Sequence, residues 1–182
     1  AETRRKEETT RKLDYFNNSL AEHVLAQIRA SFKKPETIPP VAVNVVRKVI
    51  NNLAKVYVHD AIRTVEGSER DAAIYSAIED SAAMPVTMKQ ANRLCKLTGN
   101  VLLRPVWRDD AMHLDVLTGD VLNVLTGDSP EQLQAVLVTL YPESGRNDEI
   151  QYSLWTSEEY KRLNYRGTVI EAEANPYHTL PF

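Results

Sequence analysis

Apolar residues in the first third of the chain recur at three- and four-residue spacing. Leu13, Phe16, Leu20, Val24 and Ile28 fall on one stripe, which predicts a long helix from Glu2 to Phe32. Ahead of the stripe, Glu7/Arg11 and Glu8/Lys12 are i,i+4 pairs in the helix-favouring order. The first dozen residues have almost no apolar stripe, which reads as a solvated helix extension or one that meets a partner. Pro35 ends this helix and Ile38-Pro39-Pro40 opens another, proline being tolerated where the backbone N–H has no partner to lose. Val41, Val45, Val49, Leu53 and Val56 then form an apolar stripe, opposite Asn44, Arg47, Lys48, Asn51, Asn52 and Lys55. Valine content alone suggests a strand. The polar face nevertheless keeps helical spacing, so a helix over 40–57 is expected, with Leu53 buried. Gly67-Ser68 breaks the pattern. Two shorter helices are expected from Glu69 to Ala82 and from Thr87 to Thr98, separated by Pro85, with Gly99 capping the second.

From Asn100 the pattern changes to strands. Candidates are Val101–Trp107, Met112–Leu117, Val121–Leu125, Ala135–Tyr141, Ile150–Thr156 and Tyr165–Glu171, with Leu102 buried and a turn at Arg108-Asp109-Asp110. Asp128-Ser129-Pro130-Glu131 and Thr156-Ser157-Glu158-Glu159 both read as capping boxes that start small helices. Val-Leu-Thr-Gly-Asp at 116–120 and 124–128 is a local echo of strand plus turn, far shorter than a true repeat. Helices first and a mostly antiparallel sheet with short helical insertions afterwards make an α+β fold, divided into a helical part at 1–99 and a mostly β part at 100–182. Gly99-Asn100 is too short a junction to separate independent domains.

Composition adds a charge asymmetry. Residues 1–105 hold 17 Lys/Arg and 12 Asp/Glu, whereas residues 106–182 hold 5 and 13. Opposite signs suit the two faces of a head-to-tail assembly, and they also suit loops solvated by carboxylates. The single cysteine, Cys95, excludes an internal disulfide framework and fits a helix as a small buried hydrophobe. No apolar run reaches the ~18 residues of a membrane span. Glu2 to Lys12 lacks a signal-peptide core, so a cytoplasmic origin is expected.

The candidate chemistry is sparse. GxxxxGK followed by Ser or Thr, GxGxxG, HExxH, paired CxxC and GxSxG are all missing. His23, His59, His113 and His178 have no metal-ligand spacing. The carboxylate pairs Asp109/Asp110, Asp148/Glu149 and Glu158/Glu159 are adjacent in turns and point apart, unlike catalytic pairs that face one cleft. No catalytic, cofactor-binding or metal-binding residue is therefore assigned, and the chain is read as no enzyme. Lys33-Lys34, Arg47-Lys48 and Lys55 could touch phosphates without reading bases, or simply form a solvated helix face. Trp107 and Trp155 lie on predicted strands, away from those cations, so no stacking platform is visible and no nucleic-acid-binding residue is assigned.

The order of elements carries a resemblance. Asn44-Val45-Val46-Arg47-Lys48-Val49-Ile50-Asn51-Asn52-Leu53-Ala54 resembles an Asn-rich helix of bacteriophage portal proteins. Ala91 to Leu103 is similar to that family's helix, glycine turn and strand. Leu114-Asp115-Val116-Leu117 and Val121-Leu122-Asn123-Val124 resemble its paired strands, and Ile150 to Tyr160 resembles its strand leading into a short helix. Asn175-Pro176-Tyr177-His178-Thr179-Leu180-Pro181-Phe182 looks like its NPYG-x-x-PF turn; His178 stands where glycine is usual, which speaks against a tight glycine conformation there. The match covers roughly residues 38–182, in the right order, with 1–37 matching only as a generic leading helix. The chain reads as cut off where a new segment begins.

The resemblance implies the N-terminal part of the outer wing of a head-tail connector, without stem, clip or crown. It further implies a homo-oligomeric ring, usually of twelve subunits, at one capsid vertex of the virion, assembled in the host cytoplasm. Double-stranded DNA is packaged and ejected through such a ring. The partners implied are capsid and scaffold proteins, terminase, and neck and tail adaptor proteins; no cofactor or membrane is implied. The absent phosphate loop agrees with packaging by a separate terminase ATPase. The alternative is a stand-alone α+β nucleic-acid-binding adaptor.

Overall fold

The computed structural model describes residues 2–39, 43–129 and 131–182. The fold is α+β, and the chain divides into two compact units, residues 1–101 and 102–182.

The first unit is helical. Its elements are α1 (Glu2–Asn17), α2 (Ala21–Ser31), a 3-10 turn (Pro35–Thr37), α3 (Val45–Leu53), α4 (Glu69–Ser81) and α5 (Met84–Thr98). The single helix expected from Glu2 to Phe32 is two helices. Asn18 takes a left-handed φ of 69°, and the Ser19 N–H donates to the Asp14 carbonyl at 2.9 Å. That six-to-one bond around a left-handed residue is a Schellman stop, and asparagine tolerates the conformation better than most residues. The apolar stripe survives the break: Leu20 and Ile28 are buried, and Leu13, Phe16 and Val24 are half-buried.

Helix α3 is shorter than expected and is turned the other way. Val45, Val49 and Leu53 are exposed, Leu53 by 60%, whereas Ile50 is buried. The Asn44 side chain sets this rotation. Its Oδ1 caps the helix by accepting from the Arg47 N–H at 2.9 Å, while its Nδ2 donates to the Phe16 carbonyl of α1 at 3.1 Å. Pinned there, α3 brings Val46 and Ile50 inward. Val41, the first residue of the predicted stripe, lies outside the described residues, as does Pro40.

Pro85 does not separate α4 from α5. It occupies the first turn of α5, and the break falls at Ala83, at φ 44°. Gly99 caps α5 at φ 98°, as expected. At the other end of α4, Ser68 and Asp71 form a reciprocal capping box. The Ser68 hydroxyl and backbone N–H hold the Asp71 carboxyl below its ordinary pKa. This capping interaction is therefore complete above the ordinary aspartate pKa and is lost as the pH falls through the lowered value.

The second unit is built on strands β1 (Leu102–Arg108), β2 (Ala111–Leu117), β3 (Leu122–Thr126), β4 (Leu133–Leu140), β5 (Gln151–Thr156), β6 (Glu159–Asn164) and β7 (Val169–Ala174). β1 and β2 form a hairpin, and β3 to β7 form a five-stranded antiparallel meander. Asp109 and Asp110, at φ 50° and 57°, close the hairpin in the geometry of a type I′ turn. Val136, Val138 and Leu122 make the core, against which Leu102, Leu117, Val121, Leu140, Leu180 and Phe182 pack. Leu102 is thus half-buried at the edge of the core.

Neither predicted small helix forms among the described residues. At 127–132 the Gly127 N–H donates to the Gln132 carbonyl and the Gln132 N–H to Ser129, closing a loop between β3 and β4; Pro130 lies outside the described residues. At 156–159 the Thr156 Oγ1 accepts from the Glu158 and Glu159 N–H groups, as an N-cap would. The chain nevertheless turns back into β6, a strand missed by the sequence reading.

The final eight residues fold back onto this unit. Asn175 is fully buried. Its Nδ2 donates to the Thr156 and Thr179 carbonyls at 2.8 and 2.7 Å, and its Oδ1 accepts from the Tyr177 N–H at 3.0 Å. Leu180 and Phe182 then reach the core, Phe182 meeting Trp155 edge-on with ring centroids 6.5 Å apart. His178 takes φ 51°, so the left-handed conformation is present although the residue is not glycine. A side chain there costs about 1–2 kcal/mol, and the greater unfolded-state freedom of glycine offsets about 0.5–1. His178→Gly is therefore expected to stabilise the protein by about 0.5–1 kcal/mol in urea melts; a loss of stability would contradict the turn geometry.

Candidate functional site

Each unit presents a concave site with apolar walls. In the helical unit, α1, α3 and α5 enclose a groove of about 390 Å³. Leu13 and Phe16 of α1, with Val86 and Leu94 of α5, supply apolar walls. Arg47 and Asn51 come one turn apart from α3, and Lys89 and Arg93 one turn apart from α5, so three cations share one opening. The Arg47 guanidinium sits over the Phe16 ring at 5.8 Å. Lys89 is partly neutralised, its Nζ donating to Asp60 at 2.8 Å. That bond is the main cause of the lowered Asp60 pKa. Arg93 is exposed.

This arrangement sorts the basic residues singled out in the sequence. Arg47 enters the groove. Lys48 is exposed on α3, Lys33 and Lys34 are exposed after α2, and Lys55 is exposed after α3; none of these four lines the groove. Lys89 and Arg93 were missed. Their four-residue spacing on a predicted helix was the available signal, but nothing local ties them to a cation some forty residues earlier.

The other candidates disperse. Cys95 is exposed, contrary to the expected burial, because α5 turns that face outward. His23 pairs with Asp14 at 2.9 Å and stacks on Tyr15, a structural contact. Among the described residues no group of three His, Cys, Asp or Glu side chains could hold a metal ion. Asp109/Asp110 form the hairpin turn, and Asp148 and Glu149 both pair with Arg146. Glu158 lies in the β5–β6 turn, and Glu159 opens β6.

In the β unit, β1, β5, β6 and the returning tail surround a pocket of about 300 Å³. Trp107, Trp155, Tyr160 and Tyr177 line it, with Pro105 and Pro181. Cross-strand register explains the cluster, because Trp155 lies opposite Tyr160 and the two rings are 4.5 Å apart. Arg104 at its wall donates to Asp115 at 2.8 Å, and Arg108 reaches the same carboxylate. The two tryptophans therefore do share a site, though not with the helical cations.

No protein-family model matches the chain, and a search of the curated proteins finds no match either. Among the described residues no helix is long and apolar enough to cross a membrane.

Proposed function

We propose that this chain is the wing region of a bacteriophage portal protein, a subunit of the ring through which double-stranded DNA enters and leaves the capsid. Its role is structural and it carries no catalytic chemistry. The observation that carries the reading is the last turn. The resemblance to NPYG-x-x-PF expects a left-handed residue at the fourth position, and His178 adopts that conformation at φ 51°. The buried Asn175 organises the turn, as a motif defined by its backbone geometry requires.

Two further features favour an assembly role. Val45, Val49, Leu53 and Val56 are exposed together with Val43, Val58 and Ile62, a large apolar surface for one helix and its flanks. Residues 1–101 carry 16 Lys/Arg against 12 Asp/Glu, and residues 102–182 carry 6 against 13. A heterologous ring contact uses two different surfaces of the same protein, which this pairing of an apolar, basic unit with an acidic one supplies. Within the ring the neighbouring copy covers the α3 stripe. Electron microscopy of the complete gene product is expected to show a ring with a central hole wide enough for duplex DNA. A monodisperse monomer would overturn the reading.

The groove formed by Arg47, Lys89 and Arg93 favours the second reading, a nucleic-acid-binding adaptor. That reading expects duplex DNA to bind this chain with strong salt dependence. Arg93→Ala would then lower the log–log salt slope by about 1, the loss of one phosphate contact. The portal reading expects binding too weak to titrate at physiological salt, so one titration series separates the two.

A further inference from the structure

We infer that the groove of the helical unit is a binding site for a small organic anion, a carboxylate or phosphate carried on an apolar body. The inference stands apart from the ring reading, and it sets a small ligand against duplex DNA as the occupant of the same groove. The chemistry of the walls defines the ligand. No carboxylate lines the groove: its charged residues are Arg47, Lys89 and Arg93, and its uncharged polar ones are the amides Asn17, Asn51 and Gln90. Lys89 already has an anion, Asp60 at 2.8 Å. Among the described residues Arg47 and Arg93 have no ion-pair partner. The Arg47 guanidinium is held over the Phe16 ring at 5.8 Å, and its side chain makes no hydrogen bond to a described residue, so its N–H donors are open to a ligand. Guanidinium forks match a carboxylate or a phosphate in shape as well as in charge.

Size and polarity select the rest of the molecule. A volume of about 390 Å³ between helices is that of a small-molecule site. Leu13, Phe16, Val86 and Leu94 supply apolar surface that the sugar-phosphate backbone of a duplex would leave unused. Val86 stands 66% exposed at the wall, where an alkyl or aryl body removes it from water. The hydrogen bond from Asn44 to the Phe16 carbonyl ties α3 to α1. Arg47 and Asn51 are therefore presented on a preformed wall, and a ligand pays little to order it.

The test is isothermal titration calorimetry of the purified protein with octanoate and with octyl phosphate, each below its micelle threshold, beside octanol and inorganic phosphate. Saturable binding is expected for at least one of the two amphiphiles, and the tighter of them names the head group. Octanol and inorganic phosphate should each bind about tenfold or more weakly, because each offers only half of the match. Arg47→Ala and Arg93→Ala should each weaken the amphiphile about tenfold. Val86→Glu brings a carboxylate to the wall and should abolish binding. Lys48→Ala, next to Arg47 but outside the groove, should leave the affinity unchanged. All four side chains are exposed, so these variants should keep the wild-type circular dichroism and melt. No saturable binding, equal binding of octanol, or an affinity unmoved by Arg93→Ala and Val86→Glu overturns the site. A loss with Lys48→Ala as large as with Arg47→Ala shows attraction by net charge alone and also overturns it. Duplex DNA that displaces the amphiphile with the same dependence on Arg93 assigns the groove to nucleic acid and overturns the ligand.

Discussion

Asn175→Ala is expected to destabilise the β unit by about 3 kcal/mol or more, the largest loss from any single polar side chain in it. The side chain is fully buried and makes three hydrogen bonds, to the Thr156 carbonyl, the Thr179 carbonyl and the Tyr177 N–H. Alanine removes the partner of all three groups and admits no replacement of similar shape. Each buried group left unpaired costs about 1–3 kcal/mol, with some relief where water reaches the turn. The loss spreads further, because this turn directs Leu180 and Phe182 onto the core. Asn175→Asp should be no milder at neutral pH, since a buried carboxylate would face two carbonyl oxygens. Both tryptophans lie in this unit, so fluorescence-detected urea unfolding follows it selectively. A midpoint shift equivalent to less than about 1 kcal/mol would show that the tail is only loosely held.

Leu53→Asp combined with Val49→Asp is expected to abolish ring assembly while leaving the fold intact. Both side chains are exposed in the single chain, so stability should move by no more than about 0.5 kcal/mol. In a ring that covers the α3 stripe, each copy would bury two carboxylates without partners, at a cost of several kcal/mol per interface. Summed around a closed ring, that excludes assembly. Ile50→Asp is the contrasting variant: Ile50 is buried, so a charge there should unfold the helical unit. Circular dichroism checks the fold and electron microscopy the assembly. Rings that persist in the double variant would remove the α3 stripe from the interface, and with it one of the two features that favour an assembly role.

Much of the fold was legible because periodicity is a local property. Leu13 to Ile28 repeat every three or four residues and form helices, and the runs from Val101 to Thr156 form strands close to their expected bounds. The errors share a cause. Thr156-Ser157-Glu158-Glu159 satisfies the local requirement of a helix cap, and the Thr156 Oγ1 bonds are made. The same bonds serve a hairpin turn equally well, and only pairing with β5 and β7 commits Glu159–Asn164 to a strand. Asn18 could either continue or stop a helix, and the left-handed stop prevailed.

What the sequence by itself determined is the α+β class with helices ahead of strands, the Gly99 cap, the Asp109-Asp110 turn and the opposite charge of the two halves. These follow from spacing, capping chemistry and composition, which need no distant partner. What only the tertiary structure decided is which way each element faces. Helix α3 carries apolar residues on two sides, and the hydrogen bond from Asn44 to the Phe16 carbonyl selects Ile50 for burial and leaves Leu53 exposed. The same placement gathers Arg47 with Lys89 and Arg93, and strand register gathers Trp155 with Tyr160 beside Trp107. A side chain's direction depends on contacts made across tens of residues, so neither the groove nor the pocket could be read along the chain.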